Sequence, residues 1–135
     1  MNIEFDKYLI SDDKSKLQLE SVHALLKTTY WAKERTRETI AKAIENSVCF
    51  GAYADGQQIG FARAVTDYAT MFWLCDVVID ERYRGRGIGK ALIESILHHG
   101  QLKSLFSIIF SSDSQSLYEK YSFHLVNHHF MRRDP

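Results

Sequence analysis

One stretch of the sequence joins an apolar strand to an amphipathic helix through a basic, glycine-rich turn. Residues 71–79, MFWLCDVVI, are almost all apolar and predict a central β-strand. The segment DERYRGRG follows at residues 80–87, and IGKALIESILHH at residues 88–99 spaces its apolar side chains as a helix does. A strand that feeds such a helix is typical of a crossover connection between parallel strands. This unit therefore restricts the chain to an α/β fold with a mixed sheet.

The remaining segments predict the element order β-α-α-β-β-β-α-β-α-β. Early strands joined by short turns indicate antiparallel pairing, and the later crossover indicates a parallel pair. The other predicted strands are residues 3–10, the two arms of a hairpin at 47–65 around Asp55-Gly56, 102–112 and 123–133. Three other helices are predicted. The first follows possible caps at Ser11-Asp12-Asp13 and ends near Thr28, and the second begins near Thr36. The third follows Ser112 or Asp113 and includes Leu117, Tyr118 and Tyr121.

The composition predicts one soluble domain and argues against nucleic-acid or membrane partners. A chain of 135 residues with 45% hydrophobic residues is long enough for one core and short for two. Lysine plus arginine equal aspartate plus glutamate at 17 each, whereas a binder of polyanions carries an excess of positive charge. The N-terminal residues lack the apolar region of a signal peptide, and no run approaches the ~18 apolar residues of a membrane helix. With two cysteines and no disulfide framework, we expect residues 1–135 to form a single cytoplasmic domain.

The glycine-rich turn is suited to a small anion. Unpaired N–H groups and the positive end of the dipole lie at a helix start, and glycines let those groups converge on an anion. Arg82, Arg84, Arg86 and Lys90 add positive charge. The dinucleotide fingerprint fails because Lys90 stands at its last glycine position, and the P-loop pattern fails because Ala91 replaces the hydroxyl residue. A Mg²⁺-dependent nucleotide enzyme is therefore disfavoured, and a phosphate or pyrophosphate cradle remains.

Two motifs resemble those of the GCN5-related N-acetyltransferase (GNAT) superfamily. Arg84-x-x-Gly87-x-Gly89 matches its R/Q-x-x-G-x-G/A signature, and SLYEKYSF at residues 116–123 is similar to its L-Y-E-K-x-G-F motif. The predicted element order also matches the superfamily fold over nearly the whole chain. The resemblance implies an acyl-CoA N-acyltransferase fold and acetyl-CoA as the acetyl donor. It further implies acetyl transfer to a primary amine of a small molecule or protein, by direct attack in a ternary complex without a metal.

The resemblance also implies which residues hold the cofactor. In the superfamily, backbone amides of the strand before the turn hold the acetyl carbonyl and pantetheine, and those of the turn hold the pyrophosphate. The corresponding residues here are Val77, Val78 and Ile79, then Arg84, Gly85, Arg86, Gly87, Ile88, Gly89 and Lys90, with Ser111 and Ser114 completing the set. Two positions depart from the family pattern: Ser111 stands where many relatives have asparagine, and Ser122 stands where glycine is usual. Serine at a turn is unfavourable if its φ must be positive.

The same resemblance supplies candidates for catalysis and acceptor binding. Tyr118 matches the family tyrosine that protonates, or hydrogen-bonds to, the CoA sulfur. Asp76 lies in an apolar strand, where a carboxylate is unfavourable unless it is paired or functional. Two roles stay open for it: relay of the amine's proton through water, or a structural carboxylate bonded to backbone or to an arginine. The candidates for acceptor binding are Tyr30, Trp31, Asp67, Tyr68 and Trp73. All but Asp67 are aromatic, and aromatic side chains suit an apolar or cationic acceptor.

The sequence gives no support for a metal site, because none of its six histidines forms a Cys/His quartet with zinc spacing. The alternative to an enzyme is a non-catalytic acetyl-CoA sensor or interaction module of the same fold, which the departures at Ser111 and Ser122 favour. The predicted strand at FHLVNHHF, residues 123–130, has an edge that allows pairing between two copies of the chain. This edge therefore makes a homodimer possible.

Overall fold

The computed structural model describes residues 1–111, 114–126 and 131–135. Its strands form one six-stranded sheet in the order β1-β2-β3-β4-β5-β6, antiparallel throughout except for the parallel pair β5–β6. The predicted mixed α/β architecture is therefore confirmed. The elements are β1 (Asn2–Phe5), β2 (Tyr8–Ser11), α1 (Leu19–Lys27), α2 (Arg37–Glu45), β3 (Val48–Ala54), β4 (Gln57–Thr66), β5 (Met71–Ile79), α3 (Ile88–Leu97), β6 (Phe106–Ile109) and α4 (Gln115–Glu119).

The N-terminal region differs from the sequence prediction at two places. Residues 3–10 are not one strand but the hairpin β1–β2, in which Phe5 pairs with Tyr8 across a two-residue turn. Asp6 has a φ of 53° there, a left-handed conformation that aspartate tolerates better than most residues. The predicted helix cap is also displaced: Asp13 caps a 3₁₀ turn at Lys14–Lys16, and α1 begins only at Leu19.

Local turn and cap signals are confirmed in the centre of the chain. Asp55 and Gly56 have φ values of 47° and 79°, the two positive values that a type I′ turn requires between β3 and β4. Thr36 caps α2 by accepting a hydrogen bond from the Thr39 amide on its side-chain oxygen, at 3.2 Å. These signals depend on neighbouring residues only, which is why the sequence reveals them.

Helices pack on both faces of the sheet. On one face, α3 buries Ile88, Leu92 and Ile96 against Phe72 and Leu74 of β5. Such side chains each contribute about 1.5–3 kcal/mol when fully buried. On the other face, α1 and α2 form a smaller core with the buried side chains of Val22, Leu25, Leu26, Ala32, Ile40, Cys49, Phe61 and Val78. The helix α3 thereby fixes the glycine-rich turn against the end of β5.

The C-terminal region is less regular than predicted. The buried strand expected at 102–112 is reduced to β6 in the described residues, and Phe106 of β6 is 67% exposed. The helix α4 contains Leu117 and Tyr118 but ends at Glu119, so that Tyr121 lies in the following turn. Its predicted caps, Ser112 and Asp113, lie outside the described residues. Of the last predicted strand, residues 123–126 and 131–133 lie in no strand, and residues 127–130 are outside the described part.

None of the helices within the described ranges is long and apolar enough to cross a membrane.

Candidate functional site

The strands β5 and β6 separate midway along β5. Their parallel pairing runs from Met71 opposite Phe106 to Leu74 opposite Ile109, whereas β5 continues to Ile79. In the described residues, the last five residues of β5 therefore have no partner on the β6 side. Val77, Val78 and Ile79 lie in this segment, so one row of backbone polar groups faces an opening in the sheet.

A β-bulge re-orients the same segment. Phe61 of β4 pairs with Val78 and Arg63 pairs with Cys75, so that two residues of β5 oppose Ala62 alone. Asp76 sits in the bulge with a φ of 55°. Before the bulge, even-numbered side chains of β5 face the core under α3; after it, Val78 packs in the core under α1 and α2. The bulge therefore turns Asp76 toward the connection between α1 and α2.

Asp76 is the centre of a buried charge network. Arg63 Nε and Arg35 Nη1 both donate to its Oδ2 at 2.6 Å, and Trp31 Nε1 donates to its Oδ1 at 3.0 Å. The Asp76 side chain is 2% exposed, against 14% for Arg63 and 28% for Arg35. Burial by itself raises the pKa of the Asp76 carboxyl, but the hydrogen bonds and charges of the two arginines outweigh it and hold that pKa below its ordinary value.

This network bears on the two roles left open for Asp76. A carboxylate with a lowered pKa has little affinity for a proton, and both of its oxygens already accept hydrogen bonds. The geometry thus favours the structural role with arginine partners, and proton relay stays a prediction. Arg35 and Arg63 were missed in the sequence. The available signal was the unfavourable carboxylate in an apolar strand together with Arg63 in the preceding hairpin strand.

The glycine-rich turn has the conformation that an anion cradle needs. Gly85 and Gly87 have φ values of 75° and 82°, and Gly87 is the N-cap of α3. The first helical hydrogen bond runs from the Ala91 amide to the Gly87 carbonyl at 3.0 Å. The amides of Ile88 and the two residues after it consequently have no acceptor within the helix, and they point out of its positive end.

Arginines fix this turn to its neighbours. Arg84 Nε donates to the Ile79 carbonyl at 3.0 Å and so joins the turn to the end of β5. Arg86 Nη1 donates to the Tyr8 hydroxyl at 3.1 Å. Lys90 is exposed on the first turn of α3. The predicted cofactor residues of the turn thus lie together, next to the open segment of β5.

A cavity of about 350 Å³ lies beside the turn. It is bordered by the turns of the two N-terminal hairpins and by the start of the glycine-rich segment, and its lining residues are Lys7, Tyr8, Ala54, Asp55, Arg82, Tyr83 and Arg86. The guanidinium groups of Arg82 and Arg86 lie 6.0 and 5.4 Å from the centre of the Tyr83 ring. Lys7 comes from a distant part of the chain, and nothing in the sequence indicated its place here.

Tyr118 lies on α4, beyond the end of β6. Its side chain is buried, and its ring meets that of Phe123 edge-on, with centroids 5.8 Å apart. It lines a cavity of about 330 Å³ with residues of β6 and of the segment after α4. Ser111 Oγ accepts a hydrogen bond from the Ser114 amide at 3.1 Å, so these two predicted cofactor residues contact each other at the start of α4.

Ser122 occupies the left-handed position that ends α4. Its φ is 65°, its amide donates to the Glu119 carbonyl, and the Phe123 amide donates to the Tyr118 carbonyl. These two bonds are those of a Schellman motif, in which glycine is the preferred residue. The departure from the family pattern at Ser122 therefore places serine where a positive φ is unfavourable.

The predicted acceptor residues fall into two groups. Trp31 contacts Asp76 directly and stacks edge-on with Tyr30, with ring centroids 5.1 Å apart, and Trp73 lies half-buried on β5. Asp67 and Tyr68 instead lie in the β4–β5 turn, at the opposite end of β5. Four hydrogen bonds from residues 69–71 to the Asp67 carboxylate stabilise that turn and lower the pKa of Asp67.

No group of three or more His, Cys, Asp or Glu side chains in residues 1–111, 114–126 and 131–135 is placed to hold a metal ion. Cys49 is buried, and burial raises the pKa of its thiol to about 11. Burial likewise raises the pKa of Cys75. Both thiols are therefore poor ligands and poor nucleophiles at neutral pH.

Comparisons with known proteins agree with this geometry. A crystal structure of a GNAT-family protein from Xanthomonas campestris pv. campestris is 34% identical, with a TM-score of 0.90 over 98% of this chain and 96% of that one. The aminoglycoside N-acetyltransferase AAC(6')-Iy, solved in complex with CoA, is 21% identical and shares the fold, with a TM-score of 0.70 over 93% of this chain and 91% of that one.

Sequence relatives and a family model point the same way. The Gibberella zeae protein FG08082, which bears an acetyltransferase name, is 27% identical over 107 residues, 64% of this chain and 60% of that protein. The chain thus spans less than two thirds of the length of this curated relative. The model of the Acetyltransferase (GNAT) family matches residues 19–123, which include β5, the glycine-rich turn and α4. The chain belongs to the GNAT family of acetyltransferases.

Proposed function

We propose that the chain is an acetyl-CoA-dependent N-acetyltransferase that moves an acetyl group to a primary amine of a small molecule or protein. The observation that carries this proposal is the left-handed glycine turn whose helix start lies beside the open segment of β5. Free amides at a helix start suit a diphosphate, and free strand amides beside them suit the amide-rich arm that follows it. The described strands make one continuous sheet, which supports a single domain over residues 1–135.

The conformation of the turn supports the binding of CoA by these residues. Amides from residues 84–90 would hold the diphosphate, and those of Val77, Val78 and Ile79 would hold the acetyl carbonyl and the pantetheine arm. Ser111 and Ser114 would border that arm at the start of α4. When bound, acetyl-CoA supplies an activated thioester whose acetyl group an amine takes, with release of the CoA thiolate. Positioning of the two reactants by these backbone groups accounts for much of the expected acceleration.

The basic cavity beside the turn suits the 3′-phosphate of CoA. The backbone of Arg86 belongs to the glycine-rich turn, while its guanidinium lines the cavity together with Lys7 and Arg82. One ribose ring separates the 3′-phosphate of CoA from its diphosphate, so a cation attached to the diphosphate cradle is within reach of it. Asp80 pairs with Arg82 at 2.7 Å, which leaves Arg86 and Lys7 as the cations for this phosphate.

Tyr118 is proposed to donate a proton or a hydrogen bond to the departing sulfur. It is buried on α4, the helix that follows the diverging end of β6. A phenol protected from water at that point can hold its proton until negative charge develops nearby. The amine must itself be neutral when it attacks, and Asp76 remains the predicted relay for its proton, although the arginine pairs described above favour a structural role.

The test is a thiol-release assay with acetyl-CoA over a panel of amines, with CoA affinity measured by calorimetry. We expect Tyr118→Phe to lower kcat by about 10²-fold and to leave CoA affinity unchanged. Tyr121→Phe is the matched control, because it removes the same hydroxyl from a tyrosine that donates to Glu94 on α3. Absence of CoA binding to the folded chain would refute the proposal. CoA binding with no turnover on any amine would support the alternative, a non-catalytic acetyl-CoA-binding module, which the unusual Ser111 and Ser122 favour.

The cytoplasmic location, the absence of nucleic-acid and membrane partners, and homodimer formation through residues 123–130 stay predictions from composition and pattern.

A further inference from the structure

The charges around Asp76 do not balance. Two guanidinium groups, those of Arg35 and Arg63, share the single carboxylate of Asp76 and bond to the same oxygen. Within the described ranges, no other carboxylate is ion-paired or hydrogen-bonded to either arginine; the remaining side-chain contact of Arg63 is to the neutral Ser47 hydroxyl at 3.2 Å. The cysteine thiols near Arg63 are neutral, since burial raises their pKa values. The cluster therefore carries one surplus positive charge.

This surplus charge is partly shielded from bulk water. Arg63 is 14% exposed, so it stays committed to Asp76 and Ser47. Arg35 is 28% exposed, and its hydrogen bond to Asp76 uses only one of its guanidinium N–H groups. An uncompensated cation in a partly buried site is unfavourable unless an anion completes it. Arg35 is therefore the member of the cluster that can bind one.

Arg35 also lies where an amine acceptor would reach the acetyl group. It belongs to the connection between α1 and α2, as do Tyr30 and Trp31, whose rings stack edge-on. Through Asp76, this connection is hydrogen-bonded to β5 at the bulge, immediately before Val77, Val78 and Ile79, which would hold the acetyl carbonyl. The cation and the aromatic pair thus border the same end of the proposed site.

The charge of the acceptor follows from this arrangement. A simple primary amine is a cation at neutral pH, and one surplus positive charge nearby repels it. An amine that also carries a carboxylate or a phosphate is attracted by Arg35, and the same positive field favours the neutral form of its amino group, which is the form that attacks. We propose that the acceptor of this enzyme carries an anionic oxygen group, carboxylate or phosphate, and that Arg35 binds that group. This inference rests on the proposed acetyltransferase function.

The test compares matched acceptors that differ in the anionic group. The pairs are L-amino acids against their carboxamides, and ethanolamine against O-phosphoethanolamine, each assayed by thiol release with saturating acetyl-CoA. We expect kcat/KM to be at least about tenfold higher for the anionic member of one pair. A preference within the amino-acid pair identifies a carboxylate, and a preference within the ethanolamine pair identifies a phosphate. Equal or better turnover of the neutral members would overturn the inference while leaving the acetyltransferase function intact.

Variants assign the preference to Arg35. Arg35→Gln is expected to reduce the anionic-to-neutral ratio of kcat/KM by about ten- to hundredfold, and Arg35→Lys to retain part of it, because a point charge replaces a forked donor. Arg37→Gln is the matched control: it removes an exposed arginine of α2 that pairs with Glu20, and the ratio should not change. A ratio that is unaffected in Arg35→Gln, or that falls equally in Arg37→Gln, contradicts the proposal.

A binding measurement does not depend on finding the natural acceptor. Inorganic phosphate and acetate are titrated into the CoA-saturated protein. Its tryptophan fluorescence, which comes from Trp31 and Trp73, reports occupancy because Trp31 donates a hydrogen bond to the carboxylate that Arg35 also contacts. We expect saturable quenching by at least one anion, weakened about tenfold or more in Arg35→Gln and unchanged in Arg37→Gln. Absence of quenching, or equal affinity in the parent and Arg35→Gln, would overturn the inference. Failure of CoA to bind in the first step would instead refute the acetyltransferase function.

Discussion

Replacement of Asp76 by asparagine removes the one negative charge of a buried network. The carboxylate is 2% exposed and receives three hydrogen bonds, two of them from guanidinium groups at 2.6 Å. Asparagine keeps the size of the side chain, but it places an amide NH₂ group or a neutral oxygen next to the guanidinium groups of Arg35 and Arg63. Breaking one side of a buried ion pair destabilises proteins by about 3–5 kcal/mol. Because Arg35 retains some access to water, we expect the lower end of that range, about 3 kcal/mol.

This loss is measured by urea unfolding, followed by far-ultraviolet circular dichroism. The midpoint of the transition should fall with its slope unchanged, and the melting temperature should fall by about 10 °C for a chain of this size. Glu20→Gln is the control, because Glu20 pairs with Arg37 on the surface, where solvent screens the pair. We expect its midpoint to coincide with that of the parent. An Asp76→Asn variant as stable as the parent would refute the claim that this carboxylate holds the network together.

The pH dependence gives a second check with a defined sign. The pKa of Asp76 in the folded protein lies below 3.8, its ordinary value, so the stability that it contributes is fully present above that value. That stability is lost as the pH falls below about 4 toward the folded pKa. The difference between the parent and Asp76→Asn should therefore be largest near pH 7 and shrink between pH 4 and 2. A difference that is constant over this range would contradict the ion-pair explanation.

Three further predictions concern the ends of α4 and α3. Ser122→Gly should stabilise the fold by about 0.5–1 kcal/mol in urea unfolding, because the left-handed φ of 65° is strained for serine, whereas Ser122→Ala should bring no gain. Gly87→Ala should lower the stability of the fold more than Gly85→Ala. Both glycines have positive φ, but only at Gly87 would the added Cβ lie 3.2 Å from the Phe5 ring. Equal losses of stability in the two variants would show that this contact costs nothing. Arg86→Gln should weaken CoA binding about tenfold and dephospho-CoA binding far less in calorimetry; equal losses for both would exclude a role in holding the 3′-phosphate.

Features that depend on neighbours in the chain were predictable. The Asp55-Gly56 turn, the Thr36 cap and the glycine-rich turn that ends at Gly87 all follow from residues within a few positions of one another. Backbone conformation and helix-end hydrogen bonding are local properties, so a short stretch of sequence specifies them. The left-handed glycines of the turn follow from the same local signals, and its role as an anion site stays a prediction.

Errors arose where local patterns admit two structures. Residues 3–10 alternate as one strand would, and the two-residue turn that divides them carries no glycine or proline to mark it. The apolar run at 102–112 predicted a long buried strand, yet β6 ends at Ile109, because its pairing with β5 stops there. Strand length is decided by pairing with a neighbour, which the strand's own residues do not encode.

The sequence by itself determined the strand–turn–helix unit around Gly87, the family to which the chain belongs and the approximate order of its elements, since short-range patterns suffice for each. Only the tertiary structure decided the partners of Asp76. A bulge in β5 changes which side chains face which core, and Asp76 there meets Arg63 from the neighbouring strand and Arg35 from the connection between α1 and α2. Those contacts join residues 13 and 41 positions apart, and the balance of charge at such a junction exists only after the chain has folded.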